Sequence, residues 1–204
     1  MQANTDEVLK QFIERAKLLG ASSYLETARS VKIDLRPTEG RLDPQFPGGP
    51  SREQLESFVV RLRFFIQDNE PTSLRNISKL LKDDPSVPEQ LIDDVDAVRN
   101  DLQAAFNSLP PIRVSSKADP DPPTWGEIWD VFIYGELAHA NKVKRERYER
   151  WMQHGPSFVL FNYYLSRILS VMASGIVFLG GLFEKELQQH AIPPTAPTAS
   201  AGAP

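Results

Sequence analysis

The sequence has no cysteine. Disulfides, thiolate metal ligands and a cysteine nucleophile are therefore excluded, and the composition fits a reducing compartment. Histidine is nearly as scarce. His139, His154 and His190 are all the imidazole that 204 residues can bring to acid–base chemistry or metal ligation. Gly-x-x-x-x-Gly-Lys-Ser/Thr, Gly-x-Gly-x-x-Gly and Gly-x-Ser-x-Gly are missing, which removes the common phosphate loops and the nucleophile elbow. A strong charge imbalance is missing too. With a net charge of −4 the whole chain is not an electrostatic match for nucleic acid, so any such role needs a local patch. No repeat at a fixed period is visible. The segment MQANTDEVLKQF has no basic stretch leading into an apolar run, so it is not expected to be a secretory signal, and cytoplasmic localisation is the expectation.

Hydrophobic residues make up 41% and charged residues 25%, the balance of a soluble protein with one core. Helical spacing dominates. Val8, Leu9, Phe12, Ile13, Ala16 and Leu19 form one face behind a Thr5 cap, and Gly20 is the expected stop. A short helix is expected over 22–30. Ser51 and Gln54 form a capping box before Leu55, Phe58, Val59, Leu62, Phe65 and Ile66. Pro71 ends that helix. Leu74, Ile77, Leu80 and Leu81 mark a short helix. Ser86 is the expected cap of a longer one carrying Leu91, Ile92, Val95, Val98 and Leu102, with an acidic outer face at Glu89, Asp93, Asp94, Asp96 and Asp101. Thr124 and Glu127 cap another, with Trp125, Ile128, Trp129, Phe132, Ile133 and Leu137 on one side. Asn141 separates it from a helix holding Val143, Tyr148, Trp151 and Met152, which His154-Gly155-Pro156 is expected to end.

The expectation is an all-α fold, a single-domain bundle of about six or seven helices over 1–190. A small β excursion is expected near 31–36, where Val31, Ile33 and Leu35 alternate with charges, pairing with 112–114. Residues 36–50 read as a loop. The tail 191–204, AIPPTAPTASAGAP, has too little bulky apolar surface to order itself.

The last helix, expected over 157–189, is the most apolar. Its uncharged run Ile168–Phe183 is shorter than the roughly 20 residues a membrane span needs. A core helix wrapped by its neighbours is therefore expected, with a membrane anchor as an alternative. Tyr163 and Tyr164 near its start also suit a homodimer interface.

Chemistry-bearing residues gather in 124–155, which holds all three tryptophans and two of the three histidines. Glu136 and His139 share a helix face, but a carboxylate-bridged dimetal site needs a second such pair. No metal site and no cofactor is expected. Lys142, Lys144, Arg145, Arg147 and Arg150 oppose two glutamates in nine residues. With Tyr148 and Trp151 available for stacking, this run is the candidate RNA contact, and His139 or His154 could serve as acid or base beside it. The bland alternative is a solvated basic face.

A helical bundle carrying Arg147 and His154 with six residues between them resembles the HEPN superfamily. That resemblance implies a metal-free RNase of a toxin–antitoxin or antiphage system, or an inactive relative, often dimeric. Tyr148 departs from the polar residue that usually follows the arginine. The blocks RFFIQDNEP (63–71) and DVFIYGELAHAN (130–141) resemble an uncharacterised group of bacterial helical proteins. This second resemblance implies a bacterial cytosolic setting and points to Asp68, Asn69, Glu70, His139 and Asn141 as polar groups of a site. The bland alternative for those groups is turn and helix-end hydrogen bonding. The expected role is a binding or interaction module, as a homodimer, rather than an enzyme. The HEPN-like RNase and the membrane-anchored protein stand as alternatives.

Overall fold

The computed structural model describes residues 3–30, 34–38, 41–45, 49–107, 142, 146 and 155–191. Among them are six helices: α1 (Ala3–Gly20), α2 (Ser23–Ser30), α3 (Arg52–Arg63), α4 (Leu74–Lys82), α5 (Glu89–Asn107) and α6 (Gly155–Ala191). The described chain is mainly helical. Two short segments, β1 (Asp34–Thr38) and β2 (Arg41–Gln45), pair antiparallel with Arg36 opposite Asp43. β2 thus occupies part of the expected 36–50 loop. Residues 31–33 and 112–114, the rest of the expected β excursion, lie outside the described residues.

Each helix follows from its apolar rhythm. α1 buries Leu9, Phe12, Ile13, Ala16 and Leu19. It already begins at Ala3, so Thr5 is a buried residue inside the helix rather than its cap. α3 opens on the capping box: Gln54 N–H donates to Ser51 Oγ at 3.1 Å, and Ser51 N–H donates to Gln54 Oε1 at 2.8 Å. These bonds satisfy donors that a helix start otherwise leaves orphaned. α4 buries Leu74, Ile77 and Leu81, with Ser78 rather than Leu80 completing its inner face. The helix expected to start at Ser86 starts at Glu89, directly after Pro88. Ser86 instead turns back, donating through N–H (3.1 Å) and Oγ (2.6 Å) to buried Asp84 Oδ1. Gly155 and Pro156 open α6, which was expected to begin at 157, and proline in a first turn costs no helical hydrogen bond.

α1 and α6 run antiparallel and hold the centre. Phe12 meets the Phe183 ring edge-on at 4.9 Å and the Phe65 ring likewise at 4.9 Å. One turn on, a Cβ at Gly180 would lie 3.0 Å from Ala16 Cβ. Another turn on, one at Gly20 would lie 2.9 Å from Val177 Cγ2. Glycine at 180 is what lets the two backbones close to this distance. Lys17 and Glu184 pair across the rim at 2.7 Å. α2 joins through Tyr24, which stacks on Phe58 at 4.6 Å and donates its hydroxyl to Ser166 Oγ at 3.0 Å. Burial pushes the Tyr24 phenol well above its usual pKa, so it remains a neutral donor.

α5 docks on α4 through Asp96, which accepts from Lys82 Nζ (2.7 Å) and Ser78 Oγ (2.8 Å). The expected acidic outer face is therefore not wholly solvated. The Lys82 hydrogen bond, then the Ser78 one, hold the Asp96 carboxyl below the ordinary carboxylate pKa. A depressed folded-state pKa means this contribution is complete above the unfolded value and disappears as pH falls through the folded one. Asp96→Asn is expected to flatten the fall in urea midpoint below about pH 4 relative to wild type. Parallel acid profiles for the two chains would show that Asp96 carries no linked stability.

Candidate functional site

The block 63–71 was one of the two expected sources of a polar site, and local hydrogen bonds tie it to α4. After α3 the backbone tightens, and Leu74 N–H returns to Phe65 C=O at 2.9 Å. Thr72 Oγ1 donates to Phe64 C=O at 2.9 Å. Asn76, from the first turn of α4, donates through Nδ2 to the carbonyls of Asp68 (2.8 Å) and Glu70 (2.9 Å). The connector is thereby stapled to the helix it leads into.

Asp68 and Glu70 then part company. Asp68 pairs with Arg75 at 2.6 Å on the open surface. Glu70 is half-buried and accepts from Arg15 Nη1 at 3.1 Å, while the same nitrogen donates to Thr72 Oγ1 at 2.7 Å. The Arg15 guanidinium also lies 4.0 Å from the centroid of the Phe64 ring, a favourable cation–π distance. Arg15 was missed in the sequence, though its place on α1 one turn beyond Phe12 could have flagged it. Asn69 is exposed. The arrangement fastens α1 to the α3–α4 connector and does not gather Asp68, Asn69 and Glu70 into one cluster.

His139, Asn141, Lys144, Arg145, Arg147, Tyr148, Trp151 and His154 lie outside the described residues. Lys142 is described. It is exposed and lies 4.0 Å from Glu146, four residues on, an exposed pair that contributes little. His190 stands 3.2 Å from Glu186 at the exposed end of α6. Among the described residues no group of three His, Asp or Glu side chains stands close enough to hold a metal ion. Two open hollows are present: one of about 320 Å³ between α1 and α6, lined by Lys10, Ile13, Glu14, Lys17, Glu184 and Leu187, and one of about 520 Å³ at Gly20, Ser22, Glu26 and Arg29. Neither encloses a convergent set of polar groups.

What stands out instead is the outer face of α6. Leu165, Ile168, Leu169, Met172, Ala173, Ile176, Leu179 and Phe183 point into the core. On the opposite side Phe178 is 55% and Val171 53% exposed. Ser174 lies between them and Gly181 beyond, both also exposed. Val171 and Phe178 are thus exposed on a helix expected to be wrapped all round. By length and composition alone Leu165–His190 could cross a membrane, yet half of its most apolar window is buried within the protein. Comparisons with family models, with curated proteins and with solved structures return no match to this chain.

Proposed function

We propose that this chain is a soluble helical-bundle interaction module whose contact surface is the outer face of α6. One observation carries the reading: Val171 and Phe178 are more than half exposed on a helix whose other side is the core. The block resemblance supports a bacterial cytoplasmic setting. Membrane anchoring draws on the length and composition of α6, but half of its most apolar window already packs inside the protein, which favours the surface reading.

Phe178→Asp tests it. In dilute protein the variant is expected to unfold within about 0.5 kcal/mol of wild type, as exposed positions do, while any association of the chain is lost. A loss of several kcal/mol in dilute protein would mean that the chain itself covers Phe178, and the reading would fail.

A further inference from the structure

We draw no further inference here: the strongest candidate, the surface patch of exposed Leu18 on α1 and exposed Val60 on α3 beside Arg15 and Arg61, carries nothing, because both arginines already have partners within the chain and nothing in the structure shows what covers the patch.

Discussion

Phe12→Ala is expected to lower the unfolding free energy by about 3–5 kcal/mol, the cost of emptying a buried aromatic site. Phe12 is fully buried, and it is the ring on which Phe65 and Phe183 both converge. Alanine would remove both edge-to-face contacts, each worth about 0.5–1.5 kcal/mol beyond area burial, and would leave a hole bordered by three helices. Neighbouring rings cannot collapse into it without separating from their own partners, which places the estimate in the upper part of the range. For a domain of this size the melting temperature is expected to fall by roughly 6–20 °C. Urea denaturation at constant m measures the effect. A loss below about 1 kcal/mol would show that α1 does not form the centre of the core.

The second large effect comes from adjacent glycines with opposite outcomes. A side chain at Gly180 starts 3.0 Å from Ala16 Cβ, an atom with no flexible end to yield. Gly180→Leu must therefore push α1 away from α6, and a loss of about 3 kcal/mol or more is expected, at the upper end for overpacking. At Gly181 nothing lies within 4 Å of a new Cβ, and Gly181→Ala is expected to gain about 0.5–1 kcal/mol from reduced backbone freedom in the unfolded chain. Thermal unfolding of both variants in dilute protein checks the pair. Equal losses would mean that the two helices do not cross at Gly180.

Much of the helical frame was legible because burial follows periodicity. Leu9, Phe12, Ile13, Ala16 and Leu19 were read as one face of α1 and are buried there. The Ser51–Gln54 capping box was equally readable, since its three-residue spacing is its mechanism. The misreadings have local causes. Ser86 looked like a cap, but Asp84 two residues earlier offers its hydroxyl and N–H a nearer acceptor. Leu80 looked like core, but Asp96 of α5 draws Ser78 inward instead. Asp68 and Glu70 looked like one site because they stand two residues apart. Their partners, Arg75 and Arg15, lie on different helices, and no periodicity in the sequence reports a long-range partner. The outer face of α6 was hidden for a related reason. Apolar residues all round a helix announce burial, and which side lacks a neighbour depends on tertiary packing alone. His139 and the basic run lie outside the described residues, so the sequence reading of them keeps its original standing.

The antiparallel union of α1 and α6 also bears on how the chain folds during its synthesis. Lys17 and Glu184 pair across 167 positions of sequence, and Phe12 finds Phe183 over a similar separation. During synthesis the side of α1 that meets the α3–α4 connector can be covered through Phe65 and Glu70, but the side that meets α6 stays bare until residue 183 has followed. Helical proteins usually fold fast because their contacts are local; the contact between α1 and α6 instead spans 167 positions. The nascent intermediate, with Phe12 and its neighbours open, is the form most exposed to aggregation and to chaperone capture.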